Sequence, residues 1–432
     1  PGQGQRILDV CERWGLEAAV IGRVTDTNRF VCKATPHFDP FVEPEGPRHP
    51  IIAVDLPIGI LADEAPKYDR PTREPTPPRE DPIVFPGDAN LQDELLSLLG
   101  SPNIGSRSAI WRQFDHIVRN GTVIGPGAGD AAVIRAFCGD GLEKFLALSV
   151  DCNGRHVALD PFVGGQMAVA ECARNIVCVG ARPLGVTDCL NFGNPQIPET
   201  MWTIVRAIEG IATACQALGT PVVSGNVSLY NETDGRPILP TPTIGMVGQL
   251  DDPEHRLTLA FLGEGDRVLH LGAMGGGALG GSEWQVRRDG RPRGPAVPFD
   301  LASEVRLQQL MLHLAQQRLL RSAHDISDGG LAICLAESCI AGQVGARIQL
   351  PPSDVSRGAT LFGEEPSRVI VSVSPDEVDH ILDLAKTRGV HAIDIGAVGG
   401  SSLHFDADLD LPLDLLVGAH AGALDAVLGP AL

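Results

Sequence analysis

The stretch GGQMAVAECARNIVCVGARPLGVTDCLNFGNP, residues 164 to 195, decides the fold class of this chain. Its small and apolar first half predicts a buried helix from about Gln166 to Val179, and the part that follows predicts a strand from Pro183 to Leu190. Polar residues come directly after that strand. A helix followed by a strand with a polar end is typical of α/β folds, which bind ligands at strand ends.

The regions on either side continue this pattern. Apolar residues recur at helical spacing between Pro198 and Gly219, which are a suitable start and stop for a helix. The segment PVVSGN, residues 221–226, predicts a further strand that ends in a turn. A second series of strands and helices begins at Asp266 with DRVLHLG. We therefore predict a mixed α/β (α+β) chain with two α/β domains in succession.

One internal similarity suggests a tandem repeat. The segment LEAAVIGRV, residues 16–24, matches VHAIDIGAV, residues 390–398, at four of nine positions, and we predict an Arg-led strand (6–8 and 368–370) and a helix before each. The first residue is Pro1, and we expect the first repeat to be truncated and the second to be complete. The predicted domains are a remnant of the first repeat (1–50), a Pro-rich linker (51–86), an amino-terminal-type α/β domain (87–255) and a carboxyl-terminal-type α/β domain (256–432).

Composition excludes several classes of function. Acidic residues outnumber basic ones 54 to 34, so a net charge of −20 argues against a nucleic-acid partner. No apolar stretch approaches the roughly 20 residues that a membrane helix needs. The ten scattered cysteines lack a CxxC pair and are typical of reduced thiols, so we expect a cytoplasmic protein with no membrane partner.

The most specific candidate site combines the ends of two predicted strands. Asp188 lies in TDCLNFGNP, and the turn SGNVSLYNET contains Gly225, Asn226 and Ser228. Gly225 permits close approach of backbone to a ligand, Asn226 offers a neutral oxygen to Mg²⁺, and Ser228 offers a hydroxyl to a phosphate. The alternative is that these polar groups only cap neighbouring helices.

Three further patterns are weaker. In GPGAGDAAV, residues 125–133, glycine N–H groups could approach phosphates while Asp130 holds a cation, or the segment is simply a loop that leads into a strand. Asp151 and Asn153 offer oxygens of the same kind. In HDISDGG, residues 324–330, we favour a structural interpretation in which Asp328 caps the next helix, over an acid/base pair.

A glycine pattern after the DRVLHLG strand does not by itself indicate a dinucleotide site. Gly275, Gly277 and Gly280 satisfy GxGxxG, the fingerprint of dinucleotide binding. A single match is weak, and no acidic residue that ends a strand stands at the offset needed to hold a ribose. We therefore do not predict a dinucleotide site.

Taken together, these motifs resemble one family. They are GDAAV (129–133), SVDCNGRHVALDP (149–161), the opening stretch, PVVSGNVSLYNET (221–233), PTIGMVG (242–248), LGGSE (279–283), HDISDGGL (324–331) and GEEPSRVIVSV (363–373). In order and spacing they are similar to the second half of the synthetase subunits of the phosphoribosylformylglycinamidine synthase family. Members resemble two fused copies of the aminoimidazole ribonucleotide synthetase fold, in agreement with the internal repeat.

The resemblance implies a function and its residues. The family uses ATP to convert formylglycinamide ribonucleotide and glutamine-derived ammonia into the amidine, with a glutaminase subunit and a small bridging subunit as partners. It implies that Asp188 and Gly225 contact ATP, that Asn226 binds Mg²⁺ and that Ser228 contacts the ribonucleotide. The catalytic residue is unknown here, because the family's catalytic histidine belongs to the first half.

The chain departs from the family at two positions. His156 stands where tyrosine is usual, and Asp328 stands where glutamate is frequent. Two alternative functions stay open at this point: a small-molecule kinase of the same superfamily, and a nucleotide-binding structural half without turnover of its own. The first should lack the TDCLNFGNP and GNVSLYNE pair.

Overall fold

The structure, a computed structural model, describes residues 3–34, 50–76, 83–139, 141–275, 277–406 and 408–429. The chain forms two compact units, Pro1–Asp69 and Arg70–Leu432. None of the helices in the described ranges is both long and apolar enough to cross a membrane.

The first unit is small. Its described elements are α1 (Gly4–Arg13), β1 (Arg29–Ala34), β2 (Ile51–Pro57) and α2 (Ile58–Leu61), and β1 pairs antiparallel with β2. The strand predicted at residues 6–8 is wrong, because these residues lie inside α1, where Ile7 and Val10 recur at helical spacing. The segment 16–24 carries no assigned strand, so the predicted match to the strand order of residues 368–398 is not found in this unit.

The first residues of the predicted linker form a strand. Residues 51–57, IIAVDLP, form β2 because their apolar, β-branched side chains favour an extended chain that pairs with β1. The domain boundaries remain predictions. Part of the predicted linker, residues 77–82, lies outside the described residues.

The second unit contains two mixed sheets with their helices. Its strands are β3 (Thr122–Ile124), β4 (Ala132–Phe137), β5 (Glu143–Asp151), β6 (Arg182–Asn191), β7 (Val222–Ser228), β8 (Glu232–Thr233), β9 (Arg236–Pro237), β10 (Thr241–Leu250), β11 (Arg267–Leu271), β12 (Ser322–Asp325), β13 (Ala346–Ile348), β14 (Val369–Val373), β15 (Ala392–Val398), β16 (Ser402–Phe405) and β17 (Leu409–Pro412). Its helices are α3 (Leu91–Leu99), α4 (Ser108–Trp111), α5 (Gly154–Leu159), α6 (Pro161–Cys178), α7 (Pro198–Leu218), α8 (Glu283–Asp289), α9 (Leu301–Gln316), α10 (Gly330–Gly342), α11 (Arg357–Phe362), α12 (Val378–Thr387), α13 (Leu413–Ala421) and α14 (Asp425–Leu428).

The first sheet has six strands in the order β3-β4-β5-β10-β6-β7. Helices α6 and α7 cover one face, where a core that includes Val186, Ile211 and Ile244 excludes water. Apolar side chains on the other face, Leu148, Val150 and Val247, are exposed. Within this sheet β6 and β7 are parallel, so their carboxyl ends lie at the same edge.

The second sheet has seven strands in the order β12-β14-β11-β15-β13-β16-β17. One core includes Leu269, Met311 and Val371, and another includes Phe362 and Phe405. Strand β11 is antiparallel to both of its neighbours, β14 and β15. Because the dinucleotide fingerprint requires a parallel βαβ unit, this topology agrees with setting aside the GxGxxG match that follows β11.

Candidate functional site

The candidate site lies where β6 and β7 end side by side. Helix α7 connects these two parallel strands, with Pro198 in its first turn and Gly219 in the left-handed conformation after its last. The register places Asp188 opposite Gly225, Cys189 opposite Asn226 and Asn191 opposite Ser228. The structure therefore brings the four residues predicted from the sequence onto adjacent strands.

Asp188 and Gly225 are in close contact. A Cβ atom built on Gly225 would lie 2.2 Å from Asp188 Oδ1, so only glycine leaves room for the carboxylate in this position. Burial raises the pKa of the Asp188 carboxyl group above its ordinary value, while the backbone N–H of Asn226 lowers it in part. Asp188 caps no helix among the described residues, so the capping alternative has no support for this side chain.

Asn226 lies on the opposite face of the sheet from Asp188. Successive side chains in a strand alternate between faces, and the Asn226 amide group contacts the sulfur of Cys189, at 3.8 Å, on the exposed face. Its side-chain oxygen has no hydrogen-bond donor among the described residues, and the residue is exposed. Asp188 and Asn226 thus lie on neighbouring strands, with their side chains on opposite faces of the sheet.

Ser228 belongs to an interlocked pair of loops that follow the two strands. Its hydroxyl donates to Asn231 Oδ1 at 3.2 Å, and its carbonyl accepts from the Phe192 N–H at 3.1 Å. The Asn231 amide in turn donates to the carbonyl of Phe192, and Glu232 accepts from the Asn194 N–H at 3.0 Å. These bonds hold the two motifs, TDCLNFGNP and SGNVSLYNET, against each other.

Asp130 has a structural partner rather than an open position for a metal. Its Oδ1 lies 2.6 Å from His324 Nδ1, and its Oδ2 accepts from the Asp325 N–H at 2.7 Å. The other ring nitrogen of His324 lies 3.1 Å from Glu337 Oε2. Burial is the largest single influence and would lower the pKa of His324. The charges of Asp130 and Cys334 and the hydrogen bonds to Asp130 and Glu337 together outweigh it, so the pKa stands well above its ordinary value. The imidazolium is therefore held between two carboxylates.

The prediction that Asp328 caps the next helix is wrong. Helix α10 begins after Gly329, and no side chain caps its first turn. Asp328 Oδ1 instead accepts from Asn153 Nδ2 at 2.9 Å and from Arg155 Nη2 at 2.8 Å. The reason is energetic. Arg155 is buried and also pairs with Glu283 at 2.5 Å, and leaving a buried charge without carboxylate partners costs more free energy than leaving a helix without a cap.

A second buried arginine, Arg174 of α6, was not singled out in the sequence. Its Nε donates to Asp325 Oδ1 at 2.5 Å and its Nη1 to Glu304 Oε2 at 2.8 Å, and all three side chains are buried. Each ion pair joins residues more than 125 positions apart. The signal in the sequence is a cation, three positions after Glu171, in a helix of mostly small and apolar residues.

Carboxylates beside Arg174 have perturbed pKa values. Burial, together with the nearby charges of Asp325 and Asp328, raises the pKa of Asp151 to about 8. Burial and the charge of Asp151 likewise raise the pKa of Glu171 well above its ordinary value. Asp151 accepts from Asn175 Nδ2 at 2.5 Å. In the described part of the chain, no group of three or more His, Cys, Asp or Glu side chains is arranged to hold a metal ion.

Comparison with known proteins defines the class to which this fold and these strand ends belong. Residues 128–250 match the family described as AIR synthase related protein, N-terminal domain, and residues 263–405 match the AIR synthase related protein, C-terminal domain. The chain belongs to the AIR synthase related family.

Within that family the chain is similar to one kind of protein. It is 43% identical, over 99% of its length, to the phosphoribosylformylglycinamidine synthase subunit PurL of Anaeromyxobacter sp., of which it covers 56%. It is also 43% identical, over 93% of its length, to the PurL subunit of Moorella thermoacetica, of which it covers 53%. The chain thus spans about half the length of the curated relatives that it matches.

Solved structures agree on the fold. A structure described as T. maritima PurL complexed with FGAR matches with a TM-score of 0.61 and 19% identity, over 76% of this chain and 53% of that one. The tt0281 protein of Thermus thermophilus matches with a TM-score of 0.53 and 22% identity, over 72% of this chain and 99% of that one. The predicted mixed α/β fold of the AIR synthetase type is confirmed.

Proposed function

We propose that this chain supplies the second repeat of a phosphoribosylformylglycinamidine synthase, which converts formylglycinamide ribonucleotide, ATP and ammonia into the amidine, ADP and phosphate. The observation that carries the proposal is the interlocking of two motifs at the ends of parallel strands, in a chain 43% identical to PurL subunits over nearly its whole length. Parallel strand ends are where α/β sheets bind nucleotides. The relatives favour neither a small-molecule kinase nor a purely structural half.

In the proposed reaction, the amide oxygen of the ribonucleotide attacks the γ-phosphorus of ATP and releases ADP. Ammonia then displaces phosphate at the same carbon and leaves the amidine. The protein must align the oxygen with the phosphorus and exclude water from the activated amide. In this chain we assign the ATP contacts to Asp188 and Gly225, on one face of the sheet. We assign a contact with the ribonucleotide to Ser228, which shares the other face with Asn226. Strand β7 is at the edge of the sheet, so a ligand can reach both faces around it.

Mg²⁺ is the proposed metal cofactor. The free amide oxygen of Asn226 is a hard neutral donor of the kind that Mg²⁺ accepts, and it stands on the exposed face of β7. When bound, the ion would offset the charge of the phosphates, which a chain of net charge −20 cannot do with its bulk charge. We expect a glutaminase subunit and a small bridging subunit to deliver ammonia in the cytoplasm.

Calorimetry with ATP tests the metal requirement directly. We expect saturable binding in the presence of Mg²⁺ and at least a tenfold loss of affinity when EDTA removes the metal, because phosphates without a counter-ion would meet an acidic protein. Equal affinities in the two conditions would refute the role of the metal.

A turnover assay tests the division of labour between the two repeats. We expect this chain alone, given Mg-ATP, formylglycinamide ribonucleotide and excess ammonium, to form no amidine, because the family's catalytic histidine belongs to the other repeat. Ammonium replaces the glutaminase in this assay, so that a missing partner cannot explain a negative result. Amidine formed by the chain alone would show that one repeat holds a complete catalytic site.

A further inference from the structure

One residue of the interlocked loops, Tyr230, has a backbone conformation that its side chain disfavours. Its φ angle is +61°, and it is the only aromatic residue among the nine described non-glycine residues with positive φ. A bulky L-residue in this region is strained by its own Cβ, and glycine would adopt the same turn without strain. Backbone strain of this kind is concentrated at functional sites.

Packing does not account for a tyrosine at this position. Half of the residue's surface, 50%, is exposed, so the ring gains little from burial. The turn itself is held by backbone bonds, because the Tyr230 N–H donates to the Gly193 carbonyl at 3.0 Å and the Asn231 N–H donates to the Phe192 carbonyl at 3.1 Å. A residue of any kind with this backbone would make those two bonds.

The hydroxyl group of Tyr230 is oriented but has a free proton. Gln196 Nε2 donates to the phenolic oxygen at 3.1 Å, which fixes the position of the ring across the two loops. That bond uses a lone pair, so the O–H proton remains available, and it has no acceptor among the described residues. Ser228, two positions earlier, already donates its own proton to Asn231.

We infer that Tyr230 is a further substrate-contacting residue, whose O–H donates to an oxygen of the ribonucleotide at the ends of β6 and β7. This inference rests on the proposed function, and in particular on the assignment of the ribonucleotide to this edge of the sheet. A phosphorylated sugar presents oxygens that accept hydrogen bonds, and the exposed phenol of Tyr230 has a free proton to donate to one of them. The strain at Tyr230 then positions the donor before the ligand arrives.

The composition of the chain makes a direct test possible. There are only two tyrosines, Tyr68 and Tyr230, so labelling with 3-fluorotyrosine gives two fluorine resonances, which the Tyr68→Phe variant assigns. Formylglycinamide ribonucleotide is titrated into the labelled full chain in the presence of Mg-ATP, and its affinity is measured in parallel by calorimetry. We expect a saturable shift of the Tyr230 resonance, with the Tyr68 resonance unchanged as the internal control.

Two variants separate contact from structure. We expect Tyr230→Phe, which keeps the ring, to weaken ribonucleotide affinity about tenfold and to leave ATP affinity and Tm unchanged, since one hydrogen bond to a charged or polar ligand is lost. Tyr230→Gly should lose as much affinity, yet unfold at an equal or higher temperature because the strained backbone is relieved. A purely structural tyrosine would instead show a lower Tm in both variants.

The possible failures are distinguishable. If the wild-type chain binds the ribonucleotide while the Tyr230 resonance and the affinity of Tyr230→Phe stay unchanged, the role of Tyr230 is refuted and the proposed function stands. If the wild-type chain shows no saturable binding of the ribonucleotide in Mg-ATP, the substrate assignment of this site is refuted, and the inference falls with it.

Discussion

The second unit contains two polar regions that differ in how their charges are satisfied. The first region lies between the two large sheets. There Arg155 and Arg174 are buried, and each forms ion pairs with at least two carboxylates. At the ends of β6 and β7, by contrast, Asp188 has no ion-pair partner among the described residues, and the side-chain oxygen of Asn226 has no donor there.

This difference separates stability from binding. Buried charges that are fully paired hold elements in a fixed geometry, and removing one partner is costly. Polar groups left without partners at an exposed strand end contribute little to folding and are available to a ligand. The buried region should therefore respond to mutation in its stability, and the strand ends should respond in their affinity for ligands.

The largest expected effect is at Arg174. The variant Arg174→Met leaves Asp325 and Glu304 buried without their cation, so we expect the free energy of unfolding to fall by about 3–5 kcal/mol. Urea denaturation followed by circular dichroism measures the loss. Arg256→Met is the matched control. Arg256 forms an exposed pair with Glu254 and an exposed hydrogen bond to the Pro253 carbonyl, so its loss should change stability by less than about 0.5 kcal/mol.

A small loss at Arg174 would contradict this account. If Arg174→Met cost no more than the control, methionine would fill the site as well as the ion pairs do, as happens when some buried charge networks are replaced by apolar residues. The buried arginine region and the ends of β6 and β7 would then differ only in how buried they are, and not in how their charges are paired.

Sequence patterns predicted the elements around the candidate site well. Helix α7 extends from Pro198 to Leu218, as the proline, the apolar spacing and Gly219 indicate. Spacing failed at residues 6–8, where three residues are too few to distinguish a strand from one turn of α1. Local patterns are reliable where a whole helix or strand repeats them.

The buried network could not be derived from local patterns. Arg174 and Asp325 are 151 positions apart, and which carboxylate meets which arginine depends on the packing of α6 against the second sheet. For the same reason Asp328 was given a local role as a cap, whereas its partner is Arg155, 173 positions away. The adjacency of Asp188 and Gly225 could be expected from the sequence, because β6 and β7 follow one another along the chain and pair in the sheet. Their role in binding stays a prediction.

An intermediate effect is expected from pH at His324. Below the ordinary histidine pKa of about 6.5, both folded and unfolded chains are protonated, and the pairing with Asp130 and Glu337 contributes fully. Above it the unfolded chain loses its proton first, because the folded-state pKa is raised. Stability should therefore fall as pH rises towards the folded-state pKa, by at most about 1.4 kcal/mol per pH unit.

The variant His324→Gln isolates this contribution. The glutamine side chain keeps part of the hydrogen bonding but does not titrate. The difference between the wild-type and variant free energies of unfolding should therefore shrink with increasing pH. Taking the difference removes other titrating groups such as Asp151, whose raised pKa acts in the same direction. A difference that instead grows as pH rises towards about 6.5 would show that the folded chain holds the histidine in its neutral form.

The smallest effect on stability is expected at Asn226, together with a large effect on binding. Asn226 is exposed at the sheet edge, and among the described residues its side chain has one weak contact, to Cys189. Asn226→Ala should therefore change the free energy of unfolding by less than about 0.5 kcal/mol. If its amide oxygen binds Mg²⁺, calorimetry should show Mg-ATP affinity falling at least tenfold, since a direct ligand is lost from the metal.

Ser224→Ala is the matched control on the same strand and face, because the Ser224 hydroxyl is hydrogen-bonded to Thr187 and has no assigned ligand. Equal ATP affinities for the two variants would remove Asn226 from the site. A fall of several kcal/mol in the stability of Asn226→Ala would place it with the buried, structural region instead.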